Sequence, residues 1–166
     1  MSNAISKADI KTISKQLKRE PRGLKGIALR CALGLPQVVE TGMFLEGGQP
    51  FPTLYWITCP FRVKAISRLE DEGWAERLQA RISEDESLRK RLHAAQEDYK
   101  ARRRLSGLKL NHPVVSTGIG GVRDLGIIKC LHAHYAHYLA TGENPIGEIV
   151  HESIAGLECS ERCDRS

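Results

Sequence analysis

Residues 53–60 have the sequence TLYWITCP, in which a strand is expected to run directly into a helix. Its first six residues are rich in aromatic and β-branched side chains, which favour a pleated, half-buried strand. Proline is favoured at the first position of a helix, so Pro60 marks a helix start. Val63, Ile66 and Leu69 then follow at helical spacing. The stretch predicts a fold that mixes strands and helices.

The chain before this stretch predicts one helix and further strands. Ser6 and Asp9 form a capping box for a helix over residues 7–19. Short apolar runs at 27–36 and 38–41, broken by glycine and proline, favour strands. Two or three antiparallel strands are therefore expected in the first third of the chain.

The chain after residue 60 is expected to be mostly helical. Ser83 and Glu86 form a second capping box, which predicts the start of a long charged helix. Residues 125–140 contain a single fully charged side chain, Lys129, so a largely buried helix is expected there. The sequence at Asn144 and the proline that follows it predicts a last short helix. We therefore expect an α+β fold in which a small antiparallel sheet packs against several helices.

Length and charge set the broad class. The 166 residues fit a single domain over 1–166, with a core at about 25–150 and a flexible tail at 156–166. The formal net charge is +5, which permits attraction to polyanions but often serves only solubility. No run approaches the roughly 18 apolar residues of a membrane span, and the start lacks the apolar core of a signal peptide. A soluble, cytoplasmic protein without membrane contact is expected.

The cysteines are expected to be reduced. An odd number in a chain without export signals argues against a disulfide framework. The five residues are Cys31, Cys59, Cys130, Cys159 and Cys163.

The first candidate site is a metal centre on the helix predicted at 125–140. Cys130, His134 and His137 fall at i, i+4 and i+7, so they share an arc of about 60° on one helix face. Cys59 or Cys31 is the candidate fourth ligand. This donor set favours zinc or iron, with a hydrolytic role if one coordination position is open and a structural role if four protein ligands close it. The alternative is a buried helix whose histidines bond to main-chain carbonyls.

Helical geometry places one other histidine away from the stripe formed by Cys130, His134 and His137. His132 points about 160° away from His134, so it is not expected to belong to the same site.

A second candidate is a metal-independent thiol enzyme. Cys59 is predicted at a helix N-terminus, where the helix dipole favours the thiolate, and a nearby histidine would complete a nucleophilic pair. His112, in a predicted loop, is the accessible imidazole that could join such a site. The alternative is that Cys59 simply ends a buried strand.

A glycine-rich loop is the candidate anion or cofactor contact. Gly118, Gly120 and Gly121, followed by Arg123, could offer backbone N–H groups and a guanidinium to a phosphate or carboxylate. The loop lacks the lysine of a P-loop, and a flexible turn is the alternative. An unidentified small molecule or anion is therefore a candidate partner.

A third function class is a non-enzymatic module that binds nucleic acid or an acidic protein through a basic helix. The charges in question are Arg89, Lys90, Arg91, Arg102, Arg103 and Arg104.

Two long blocks carry a family resemblance. Residues 50–60 (PFPTLYWITCP) and 129–147 (KCLHAHYAHYLATGENPIG) are the specific ones, supported by Arg30-Cys31 and His112-Pro113 with the glycines that follow each pair. Over roughly 25–150 the chain resembles the bacterial domain-of-unknown-function family numbered 501. That resemblance implies no activity, so function must be argued from the residues.

Overall fold

The computed structural model describes residues 4–106, 112–157, 159 and 161–164. The fold is α+β, as predicted. The strands are β1 (Leu24–Arg30), β2 (Pro36–Thr41) and β3 (Tyr55–Ile57). The α-helices of the described residues are α1 (Lys7–Leu17), α2 (Pro60–Asp71), α3 (Trp74–Glu84), α4 (Glu86–Ser106), α5 (Leu131–Thr141) and α6 (Pro145–Ser153).

The three strands form one antiparallel sheet in the order β1-β2-β3. Val39 of the central strand pairs with Ile27 on one side and Trp56 on the other. The inward face of β2 and β3 is buried, and α5 packs against β3 and α6. The sheet and α2 thus surround the histidine-rich helix, where most candidate residues lie.

Helix α5 begins six residues later than the sequence predicts. Asp124 accepts a hydrogen bond from the Gly126 N–H at 2.8 Å, which fixes a turn inside the expected helix. The N–H of Ile128 donates to the Gln79 side chain at 2.8 Å rather than to a carbonyl one turn earlier. Side-chain hydrogen bonds therefore satisfy the N–H groups of Gly126 and Ile128, and residues 125–130 do not form the expected part of the helix.

The capping predictions have different outcomes. The Ser6–Asp9 box at α1 is confirmed, with both reciprocal bonds present. The box predicted from Ser83 is wrong, because Ser83 lies inside α3 and donates to the Gln79 carbonyl. Asp85 caps α4 instead, accepting from the Leu88 N–H at 2.9 Å. No helix of the described residues is long and apolar enough to cross a membrane.

Candidate metal centre

The structure separates the three residues of the predicted metal stripe. His134 and His137 are fully buried on α5, and the Asn144 side-chain nitrogen lies 3.2 Å from Nδ1 of each ring. Cys130 lies just outside the helix in an extended conformation (φ −150°, ψ 117°). The helical rule that aligned the three residues does not apply to a residue outside the helix, so the sulfur leaves the stripe.

Asn144 connects the two buried histidines through their Nδ1 atoms. The Asn144 oxygen accepts the N–H groups of Ile146 and Gly147 at 3.0 and 2.9 Å, which turns its NH₂ group toward the two rings. The second nitrogen of His137, Nε2, lies 3.0 Å from an Asp98 carboxylate oxygen.

Burial keeps both rings neutral. It lowers the pKa of His134 to about 3, against a smaller opposing effect of the Asn144 bond. Burial also lowers the pKa of His137, although Asp98 works in the opposite direction. Because each Nδ1 accepts a hydrogen bond from Asn144, each ring carries its proton on Nε2. The two Nδ1 lone pairs are therefore used within the protein, whereas Nε2 of His134 is buried with no hydrogen-bond partner among the described residues.

Cys130 meets a different histidine. Glu70, Cys130 and His132 bring a carboxylate oxygen, a sulfur and a ring nitrogen within 4.8 Å of one another, and all three residues are half-buried. In the described part of the chain this is the one group of three or more histidine, cysteine or acidic side chains that meets that distance. We call it the Glu70–Cys130–His132 trio.

Contacts from α2 hold the trio in place. One carboxylate oxygen of Glu70 accepts the Leu131 N–H at 2.8 Å, so Glu70 caps the start of α5 from a neighbouring helix. The other oxygen lies 3.2 Å from Nδ1 of His132. On the far side of the ring, Nε2 lies 3.2 Å from the Val63 carbonyl and 3.4 Å from the Ser67 hydroxyl.

The His132 ring is charged when no metal is bound. Burial opposes the charge, but the neighbouring Cys130 sulfur, the Glu70 carboxylate and the Val63 carbonyl together raise the pKa of His132 to about 9. A metal at Nδ1 would replace the proton on that nitrogen, while Nε2–H would still donate to the Val63 carbonyl. Metal-bound histidines are oriented by second bonds of this kind.

A cavity of about 320 Å³ lies against the trio. Its wall is mostly apolar and includes two residues of the trio, Cys130 and His132. The lining residues are Thr53, Tyr55, Trp56, Ile57, Val63, Cys130, His132 and Ala133. A cavity of this size and composition suits a small apolar group.

The other two candidate metal ligands lie elsewhere. Cys59 immediately precedes α2, as predicted, but it is only 2% exposed and contacts the Cys159 side chain. Cys31 follows β1 and is half-buried. Neither belongs to the trio. The burial of Cys59 also leaves the thiol-enzyme hypothesis without an accessible sulfur.

The backbone of the glycine loop is largely used within the protein. The Gly118 N–H donates to the Val122 carbonyl at 2.8 Å, and the Gly121 N–H donates to the Gly118 carbonyl at 3.0 Å. The Ile119 N–H donates to the Gln96 side chain at 2.7 Å. A Cβ at Gly118 would lie 2.2 Å from the Gln96 oxygen, so a larger residue there would displace the bond between Gln96 and the Ile119 N–H.

The remaining residues of the predicted anion and thiol sites are not part of the trio. Nδ1 of His112 accepts the Val114 N–H at 3.2 Å, and its ring packs edge-on against Phe44. Arg123 is exposed, and Gly120 turns the loop at φ 74°.

The basic helix is partly neutralised by neighbouring groups. Arg103 is buried and donates to the Thr117 hydroxyl and to main-chain carbonyls. Four other cations of α4 form ion pairs: Lys90 with Glu86, Arg91 with Glu148, Lys100 with Glu97 and Arg102 with Asp98.

Sequence reasoning missed Glu70 and set His132 aside. Cys130 and His132 are two residues apart, a spacing that places side chains on one side only in an extended segment. The sequence would have paired Cys130 with His132 only if the helix had been predicted to start at residue 131. Glu70 belongs to another helix, and no local pattern connects it to this segment.

Comparison with known proteins gives a family but no activity. A family model described as "Protein of unknown function (DUF501)" matches residues 27–152, which include the whole trio. Neither the curated proteins nor the solved structures give a match.

Proposed function

Since the chain belongs to the DUF501 family, whose description names no activity, we propose its function from the site: it binds a zinc or iron ion through Glu70, Cys130 and His132 and catalyses a hydrolysis. The observation that carries this proposal is the convergence of three different donor atoms within 4.8 Å, two of them on residues that line a cavity, Cys130 and His132.

The donor set supports a catalytic role over a structural one. Structural zinc sites have four protein ligands, whereas catalytic sites have three and leave a position for water or substrate. Sulfur and imidazole donors favour zinc or iron over magnesium or calcium. An ion held by three side chains would lower the pKa of a bound water to about 7, which is the chemistry needed for hydrolysis near neutral pH.

The cavity beside the trio supports a substrate with an apolar group. Tyr55, Ile57 and Val63 line it together with Cys130 and His132. An apolar substituent seated there would lie beside the ligands. The proposed reaction is therefore hydrolysis of a small ester or amide that carries an aliphatic or aromatic group.

Metal content is the first test. Protein purified without a histidine tag is expected to retain metal at the trio, or to take it up after stripping with chelator and titration with Zn²⁺. Glu70→Gln, Cys130→Ser and His132→Gln should each weaken this binding. His93→Gln is the matched control, because His93 is an exposed histidine on α4 outside the site.

Hydrolysis is the second test, and a series of p-nitrophenyl acyl esters of increasing chain length is the probe. Activity should require the reloaded metal and should rise with acyl length until the cavity is filled. Binding without metal-dependent hydrolysis would contradict the catalytic role. Equal metal uptake by wild type and Cys130→Ser/His132→Gln would contradict the proposed metal site itself, provided that the tail cysteines are replaced by serine in both proteins.

The two other function classes have less structural support. A thiol enzyme requires an exposed Cys59, which is 2% exposed. A basic binding module requires free cations, several of which are paired or buried on α4. Both remain predictions from the sequence.

A further inference from the structure

Four of the five cysteines come from distant parts of the chain but lie in one region. They are Cys31 after β1, Cys59 before α2, and Cys159 and Cys163 in the C-terminal tail. Cys130, the fifth, belongs to the trio. All of them are free thiols.

The Pro36 carbonyl is where the segments that carry these cysteines meet. The Gln16 side-chain nitrogen of α1 donates to it at 2.8 Å and lies 3.2 Å from the Cys163 sulfur. The hydroxyl of Thr58, the residue before Cys59, donates to the same carbonyl at 3.3 Å. Three hydrogen bonds thus connect α1, the tail and the end of β3 around the first residue of β2.

The turn between β1 and β2 brings Cys31 to the same place. Arg30 pairs with Pro36 in the sheet, and the Cys31 N–H donates to the Leu35 carbonyl at 2.9 Å. Cys31 therefore lies at the end of the sheet that the Cys163 sulfur also approaches through Gln16.

Cys159 completes the group. Its side chain contacts that of Cys59, and it packs against the hydrophobic core that contains Cys59. Burial, followed by the nearby sulfurs of Cys59, Cys31 and Cys163, raises the pKa of the Cys159 thiol to about 11.

The tail is also attached to the body of the protein near these sulfurs. The Lys15 ammonium donates to the Asp164 carbonyl at 2.8 Å, and Asp164 forms an ion pair with Arg162. Cys163 and Asp164 of the tail thus contact α1.

We infer that Cys31, Cys59, Cys159 and Cys163 form a second metal site, a closed four-cysteine zinc site that fastens the C-terminal tail to β1 and α2. The separation of Cys159 and Cys163, with three residues between them, is within the range of structural zinc motifs. Cys31 and Cys59 would supply the other two ligands.

Binding requires the sulfurs to draw together. Among the described residues, no three of these sulfurs lie within 4.8 Å of one another, whereas zinc holds each sulfur at about 2.3 Å. In this proposal Cys159 and Cys163 move toward the other two cysteines, because Cys59 is buried before α2 and Cys31 lies in the turn between β1 and β2. Each thiol that binds releases its proton to solvent, so zinc binding and closure of the tail are one coupled step.

The test is a Co²⁺ titration of the full chain after metal stripping under reducing conditions, because thiolate ligands give charge-transfer absorption in the near ultraviolet. Cys159→Ser/Cys163→Ser should lose most of that absorption. Cys130→Ser is the matched control, since it removes one cysteine from the trio and should leave most of the absorption in place. Absorption unchanged in the double variant would overturn the four-cysteine site.

The two proposed sites can fail independently in this experiment. Loss of strong absorption in Cys159→Ser/Cys163→Ser supports the four-cysteine site, whatever Cys130→Ser does. If Cys130→Ser loses the absorption and Cys159→Ser/Cys163→Ser keeps it, the result supports the trio and overturns the four-cysteine site. Circular dichroism of each variant checks that the chain is folded.

Alkylation of the wild-type protein gives a second readout that needs no variant. With Zn²⁺ bound, Cys159 and Cys163 should be protected from a thiol reagent, and chelator should restore their reactivity, as mass spectrometry of peptides can measure. Equal labelling with and without Zn²⁺ would overturn the site. A Cys59–Cys159 disulfide in freshly reduced, metal-loaded protein would do the same.

Discussion

Helix α5 presents histidines on two sides, and the two environments differ in almost every physical respect. His134 and His137 are fully buried, neutral and bonded through Asn144. His132, on the other side, is half-buried and charged, and it meets Glu70 and Cys130 beside a cavity. The same residue type therefore stabilises the fold on one face and offers chemistry on the other. What separates the roles is burial, together with the carboxylate and the sulfur that lie beside His132.

The largest expected effect on stability is that of Asn144→Ala, which disrupts the hydrogen bonds between Asn144 and the two buried histidines. The change removes the cap of α6 and leaves two buried ring nitrogens without a donor. We expect the free energy of unfolding to fall by about 3 kcal/mol, from the lost cap and the unsatisfied acceptors.

Urea denaturation measures this loss, and Asn144→Ser is the control, since its hydroxyl retains a capping oxygen. The trio should still bind metal in the folded fraction. A loss below about 1 kcal/mol in Asn144→Ala would show that the buried network contributes little.

The next largest effect is expected at the trio, where Cys130→Ser and His132→Gln should each weaken zinc binding. We expect a loss of about 100-fold, equal to about 2.7 kcal/mol, because each change removes a direct ligand. Calorimetric titration in a Cys159→Ser/Cys163→Ser background isolates this site. Unchanged affinity in either variant would remove that residue from the ligand set.

A third prediction uses the depressed pKa of His134. Its folded pKa of about 3 lies below the unfolded value of 6.5, so the unfolded chain binds the proton more strongly in between. The stabilisation is complete above pH 6.5 and is lost as the pH falls toward 3, at about 1 kcal/mol per pH unit.

Unfolding free energies at pH 7 and pH 5 measure this slope, and His134→Asn should flatten it relative to wild type. The comparison is between slopes, because the variant also loses stability at both pH values. Parallel slopes would mean that another group causes the acid sensitivity.

The smallest effect has the opposite sign and comes from His132. Its folded pKa of about 9 lies above the unfolded 6.5, so its ion pair with Glu70 stabilises the metal-free protein fully below pH 6.5 and ceases to do so as the pH rises through 9. The pair is partly exposed, so we expect less than about 1 kcal/mol.

Thermal unfolding in the presence of chelator at pH 6 and pH 10 checks this prediction. His132→Gln should lose less stability than wild type over that interval. The same alkaline loss in both proteins would contradict a charged His132 in the metal-free state.

Much of the fold could be predicted from local pattern. Ser6 with Asp9, Pro60 after the strand, and Asn144 before a proline each carry a local signal, and each lies at the start of a helix in the structure. The error at α5 has a different cause. Gln79 and Glu70 satisfy the backbone of residues 128 and 131 from distant helices, and the sequence around α5 does not contain that information.

The candidate site was harder to predict because it depends on that error. A helix that starts at 125 aligns Cys130 with His134, whereas a start at 131 pairs Cys130 with His132. One boundary thus decides which histidine the sulfur meets. Glu70 enters only through tertiary packing of α2 against α5, so no spacing rule within a single element could have found it.

The most direct test of the central claim is a crystal of the Cys159→Ser/Cys163→Ser protein grown with zinc, with anomalous difference density measured at the zinc edge. A zinc ion at the trio gives a peak about 2.0–2.3 Å from the Cys130 sulfur, a His132 ring nitrogen and a Glu70 oxygen. A peak between His134 and His137, or no peak at the trio in a crystal grown with excess zinc, would contradict it.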